Sequence, residues 1–151
     1  MNRRRSAWSV AAVLAAISIF AMAGLASAAH FTTLSTSLSG AEEVPGPGDP
    51  NGKGSITLDV YLSGTICYAA KVQAIAGVAA AHIHGAPAGS AGPVVVDLRP
   101  DLAYRTGNKL SYCVTTTPEQ AADIIADLTD YYVNVHNASY PAGAIRGQLG
   151  L

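Results

Sequence analysis

The sequence predicts an all-β domain, a sandwich or barrel with one short helix near residues 118–128, on three observations. Polar and apolar residues alternate at a period of two in several short stretches, of which Ser55–Leu62 is the cleanest. Clusters of Gly, Pro, Asn and Ser separate those stretches at short intervals, the spacing of a sandwich or barrel. A single segment, opening at Thr117, changes to helical spacing.

Residues 1–28 stand apart from this pattern. Arg3, Arg4 and Arg5 precede an uncharged run from Trp8 to Leu25, and Ala26-Ser27-Ala28 supplies the small residues a signal peptidase needs, so a signal peptide is expected. The run is about long enough to span a bilayer, which leaves an uncleaved anchor as the alternative. The paired arginines permit a twin-arginine route, although Ser6-Ala7-Trp8 fits that motif poorly. The full chain has 151 residues, 50% hydrophobic and 13% charged, with nine Lys and Arg against ten Asp and Glu. Without residues 1–28 it keeps six cations against the same ten acids, a formal charge of −4. Those six, Lys53, Lys71, Arg99, Arg105, Lys109 and Arg146, are scattered along the sequence. No stripe neutralises successive phosphates, so nucleic acid is not an expected partner. No second apolar run is long enough to span a membrane, and a secreted or periplasmic domain is expected.

The elements follow in order. Residues 29–37 are expected to be a Ser/Thr-rich lead to a domain at 38–151. Leu38–Val44 precedes a loop at Pro45–Lys53, rich in Pro, Gly, Asp and Asn. In Ser55–Leu62, Ile56, Leu58, Val60 and Leu62 share one face. Ser63-Gly64 turns into a strand that holds Cys67 and runs to about Ala74. Ala79–His84 forms another strand despite weak alanine propensity. Gly85–Pro93 is a loop, and strands follow at Val94–Leu98 and Lys109–Thr115. Thr117-Pro118-Glu119-Gln120 combines an N-cap threonine, proline at the first helical position and glutamine at the capping-box position. The helix that follows aligns Ala121, Ile124, Ile125 and Leu128 on one side. Strands at Tyr131–His136 and Gly143–Leu149 close the chain around a Ser-Tyr-Pro-Ala-Gly turn.

Both cysteines lie beyond the signal. Cys67 shares its phase with Lys71, and Cys113 shares its phase with Ser111 and Thr115, so each lies on the polar face of its strand. An even count in an oxidising compartment favours a bridge, with two buried thiols as the alternative.

Few residues have chemical potential. His82 and His84, two apart on a strand, project from the same face, which is a chelating geometry. In Val133-Asn134-Val135-His136, Asn134 and His136 share the face opposite the valines. Three imidazoles are a sufficient shell for copper or zinc with one position open. From the residues alone a structural hydrogen-bond cluster is preferred, each ring donating from one nitrogen and accepting at the other. Arg146 shares a phase with Gln148, and Glu42 or Glu43 can meet it; a structural ion pair of Glu43 with Arg146 is preferred over an anion site. Asn137-Ala138-Ser139 is a glycosylation sequon. No hydrolase nucleophile set and no Gly-rich phosphate loop is visible.

Three blocks resemble the CHRD domain, named after chordin: Leu38–Pro45, Ala81–Gly85, and Tyr132–His136 followed by Tyr140–Leu149. They stand in the family's order and span about residues 38–149. The resemblance implies an immunoglobulin-like, Greek-key β-sandwich or barrel of the single-domain exported microbial type. The binding role of chordin does not carry over to a lone domain; the missing nucleophile set is what favours a non-catalytic binding module for a protein, a cell-envelope ligand or a metal ion. The strand-borne His-x-His is also similar to the copper pattern of copper/zinc superoxide dismutases. That second likeness implies a copper-binding redox protein using His82, His84 and His136, although the zinc-loop ligands of that enzyme have no evident counterpart here.

Overall fold

Alternating strands supply nearly half of the chain from residue 30 to residue 150, the residues described in the computed structural model. The expected signal peptide at residues 1–28 lies outside them. In chain order the strands are β1 (Phe31–Ser39), β2 (Lys53–Tyr61), β3 (Thr65–Gln73), β4 (Ala80–Gly85) and β5 (Val94–Asp97), then β6 (Tyr104–Thr106), β7 (Lys109–Thr115), β8 (Tyr131–His136) and β9 (Ile145–Gln148). All pair antiparallel in one continuous curled sheet, a half-barrel, in the order β5-β4-β8-β9-β1-β2-β3-β7-β6. The all-β expectation holds, with the two layers of a sandwich supplied by one sheet folded over on itself.

The inner face is apolar because the period-two phase directs it there. Leu34, Leu58, Val60, Ile66, Ile83, Val133 and Ile145 are fully buried. Each such side chain stabilises the fold by roughly 1.5–3 kcal/mol. The helix α1 (Pro118–Ala126) starts as expected, with Thr117 Oγ1 accepting from the Gln120 N–H at 3.1 Å. It buries Ala121 and Ile124 in the same core.

The structure corrects three details. Residues 31–37, expected as part of a lead at 29–37, belong with Leu38 and Ser39 to β1, paired along its whole length with β2. Serine and threonine fill most positions there, so only Leu34 and Leu38 mark the buried phase. Strand β6 has no signal in the sequence pattern: its three residues are all exposed, and it pairs with β7 across the two-residue Gly107-Asn108 turn. Leu62, placed on the buried face by its phase, lies beyond the end of β2 and is exposed. The Cys67–Cys113 disulfide is present, joining directly opposed residues of β3 and β7 on the outer face.

The two halves of the sheet meet where β9 lies against β1, with Ser39 opposite Arg146 and the Ser35 N–H donating to the Gly150 carbonyl at 2.8 Å. Gly147 sits in this seam, and a Cβ there would collide with the Ser37 carbonyl. Gly147→Ala is therefore expected to lower stability by about 1–3 kcal/mol, seen as a drop of several degrees in the unfolding midpoint. Gly150→Ala serves as the control, because its Cβ would make only an ordinary 3.8 Å contact with the Ser35 carbonyl. Equal midpoints for the two variants would refute the tight seam.

Candidate metal centre

Across β4, β8 and β9 the outer face carries His82 and His84, then Tyr132, Asn134 and His136, then Arg146 and Gln148. Register makes the arrangement compact: His82 faces Asn134, which faces Arg146, and His84 faces Tyr132, which faces Gln148. The structure brings the three expected histidines together, with one ligand atom from each within 4.8 Å of the others. The His82 Nδ1 and His136 Nε2 atoms are 3.0 Å apart.

Carbonyl oxygens only accept, and this fixes the proton on two of the rings. His84 Nδ1 donates to the Gly92 carbonyl at 2.9 Å, and His136 Nδ1 donates to the Pro141 carbonyl at 3.1 Å. In both neutral rings the lone pair is then on Nε2. On His84 that atom is buried and has no hydrogen-bond partner. On His136 it meets His82 Nδ1 at 3.0 Å and lies 3.0 Å from Asn134 Oδ1, an acceptor, so the neutral ring bonds Asn134 only with the amide turned to present its NH2 group. Burial lowers the pKa of His82, and the neighbouring His84 charge adds to the effect. Burial likewise lowers that of His136, with the His82 and His84 charges acting in the same sense against a hydrogen bond to Pro141. Neutral imidazoles, the metal-ligating form, are thus favoured at pH 7.

Loop 86–93 covers this polar face and is fastened to it. The Gly92 N–H donates to the Tyr132 hydroxyl at 3.3 Å, Arg146 Nη2 to the Pro87 carbonyl at 3.2 Å, and Gln148 Nε2 to the Ala86 carbonyl at 3.0 Å. Tyr132 is stacked by His84 from one neighbouring strand, with centroids 4.8 Å apart, and by Arg146 from the other, 3.4 Å from its centroid. Residues 34–149 match the family model described as the CHRD domain.

The chain belongs to the CHRD domain family. No curated protein and no solved structure matches it. The family and the disulfide mark an extracellular-type, binding-type domain. Among the described residues no helix is long and apolar enough to cross a membrane.

In this CHRD domain Glu43 and Arg146 are both buried but make no direct ion pair within 4 Å. The two recorded pairs among the described residues belong to exposed Arg99, with Asp97 and Asp101. Arg146 is instead taken up by Tyr132 and Pro87, and acts on Glu43 through space. Asn137, the sequon residue, is 4% exposed, and its Oδ1 accepts from the Ser139 and Tyr140 N–H groups. It shapes the turn before β9 and is not presented for glycosylation. The sequence does not mark Tyr132, Gln148 or the Gly92 anchor as part of the site. The first two share the phase of residues already singled out, whereas nothing in the sequence ties Gly92 to His84.

Burial raises the Glu43 pKa from 4.5 to about 7, against the opposing effects of the Arg146 charge and of hydrogen bonding with Asn134 and the Val44 amide. Between those two pH values the folded state binds more protons at Glu43 than the unfolded state does. This group's contribution to stability therefore falls as pH rises from 4.5 to about 7. Lowered histidine pKa values act in the opposite sense, removing stability as pH falls below 6.5. Glu43→Gln isolates the carboxyl: in chelator-treated protein, its midpoint minus that of the parent should grow by several degrees from pH 5 to pH 8. A pH-independent difference would exclude a raised Glu43 pKa.

Proposed function

We propose that this CHRD domain is a binding module whose ligand is a transition-metal ion, copper or zinc, held by His82, His84 and His136. The observation that carries the reading is the buried, unpartnered Nε2 of His84 in a cluster whose ligand atoms lie within 4.8 Å. A buried acceptor left unpaired costs about 1–3 kcal/mol, a penalty that a bound cation removes. The backbone carbonyls of Gly92 and Pro141 hold the other nitrogens of His84 and His136, the outer support typical of metal-bound imidazoles.

The affinity order of divalent metals at nitrogen ligands favours copper(II). Binding draws the rings together, because ligand atoms up to 4.8 Å apart exceed the roughly 4.2 Å that two metal–nitrogen bonds of about 2.0–2.1 Å span.

The test is titration of untagged, chelator-treated protein with copper(II) and zinc(II), followed by calorimetry and by tyrosine fluorescence, since Tyr132 stacks on His84. One equivalent of copper, bound more tightly than zinc, is expected. Binding well below one equivalent, or copper affinity unchanged in a His82→Ala/His84→Ala variant, would remove the reading.

A further inference from the structure

Three lysines scattered in sequence meet on the outer face of the other half of the sheet. Lys71 on β3 is directly opposite Lys109 on β7. On its other side Lys71 faces Ser55 of β2, two residues from Lys53, and all three lysines are exposed. Period-two geometry places them on one face, about 10 Å across. Like charges directly opposite on a sheet are destabilising. Among the described residues no acid pairs with these lysines within 4 Å, and Asp59, the acid of β2 on this face, lies four residues from Ser55, about 13 Å along the strand, and accepts from Thr33 Oγ1.

The remaining cations among the described residues are occupied elsewhere. Arg99 pairs with Asp97 and Asp101, Arg105 donates to the Val78 and Pro100 carbonyls, and Arg146 is buried on Tyr132. In a domain with six cations against ten acids, the accessible positive charge is thus concentrated on one face. Beside it stands Tyr104 on β6, 74% exposed and opposite Ser111. A groove of about 390 Å³ runs among Ser55, Lys71, Tyr104, Lys109 and Ser111. A second, of about 180 Å³, adjoins it at Ser55 and Lys71 and extends to Lys53 and Gln73.

We propose that this face binds an acidic polysaccharide, with Lys53, Lys71 and Lys109 meeting its anionic groups and Tyr104 packing against a sugar ring. The chemistry of the face selects that ligand. Lysines are point charges suited to separated carboxylates or sulfates, and the arginine forks of bidentate phosphate recognition are absent from the groove. A single exposed aromatic beside serine and threonine hydroxyls suits a sugar. Single-stranded nucleic acid is held instead by successive aromatics along a basic channel.

The experiment is calorimetric titration of the chelator-treated protein with dextran sulfate, polygalacturonate and neutral dextran at several salt concentrations. Both acidic polymers should bind and neutral dextran should not, with a log affinity against log salt slope of roughly −2 to −3. Lys71→Gln/Lys109→Gln should weaken binding at least tenfold with an undiminished unfolding midpoint. Tyr104→Ala should weaken it severalfold while leaving the salt slope unchanged. Equal binding of neutral dextran, or full affinity in the double lysine variant, would overturn the proposal. So would tighter binding of polyphosphate, single-stranded DNA or anionic vesicles, which would reassign the face to a phosphate ligand.

Discussion

Replacing His84 by alanine is expected to lower copper(II) affinity at least a hundredfold while the chain stays folded. His82 and His84 project from one strand, so the backbone holds both rings in place before any metal arrives. Removing the second ring takes away one of three ligands and the only one whose free nitrogen is fully enclosed. A hundredfold loss corresponds to about 2.7 kcal/mol, modest for a coordination bond. The variant also leaves the Gly92 carbonyl without its donor, a stability penalty of roughly 1–3 kcal/mol. A domain stable by about 5–15 kcal/mol tolerates that loss. The measurement is paired: copper titration by calorimetry, and thermal unfolding without metal. A lower midpoint with unchanged copper affinity would make His84 purely a fastening for loop 86–93.

Cutting the covalent link between β3 and β7 should have the largest effect on stability. Cys67 and Cys113 are 46 residues apart, and a loop of that length gives roughly 4 kcal/mol in the chain-entropy treatment. For a domain of this size a Cys67→Ser/Cys113→Ser variant should unfold about 10–20 °C lower than the parent. The bridge lies on the outer face, and each half-cystine is flanked along its strand by buried residues, Ile66 and Tyr68, or Val114 with half-buried Tyr112. The fold without the bridge should therefore keep its β content, measurable by circular dichroism below the lower midpoint. The histidines lie on β4 and β8, outside the bridged strands, so copper stoichiometry should be unchanged at low temperature. A midpoint within a few degrees of the parent would show that the unbridged chain retains structure that already restricts the loop.

The sequence is most legible where composition and period agree. Ile56, Leu58 and Val60 declared a buried face, Thr117-Pro118 declared a helix start, and the cysteine phases placed both thiols outward. Strand β1 hid because serine and threonine suit a strand as well as a loop, and two leucines are too few to show a period. The histidine site was legible as a set of ring-bearing positions, since residues two apart on a strand must share a face. Its support was not. Gly92 reaches His84 through a loop whose path depends on Arg146 and Gln148, residues more than fifty positions away. The Glu43–Arg146 expectation shows a related limit: the sequence suggests a partner for each charge, while the face of Tyr132 decides where the guanidinium lies. The lysine face was invisible for the plainest reason, that three strands separate in sequence become neighbours only in the sheet.

The seam between β9 and β1 also bears on how the domain comes into being. Ser39 and Arg146, partners in that seam, belong to the first and last strands of the described chain. Every strand pair that does not involve β9 can form earlier during synthesis, including the β1-β2-β3 meander, so two half-sheets with exposed apolar faces must wait for β9. Bringing together ends so far apart carries the loop-closure entropy of nearly the whole domain, which slows folding in chains dominated by distant contacts. The polar layer containing His84, Tyr132 and Arg146 is completed in the same event, because β9 supplies Arg146 and Gln148. An intermediate lacking β9 can pair β4 with β8 and bring the three histidines together, but without the Arg146 and Gln148 bonds that fasten loop 86–93 over them.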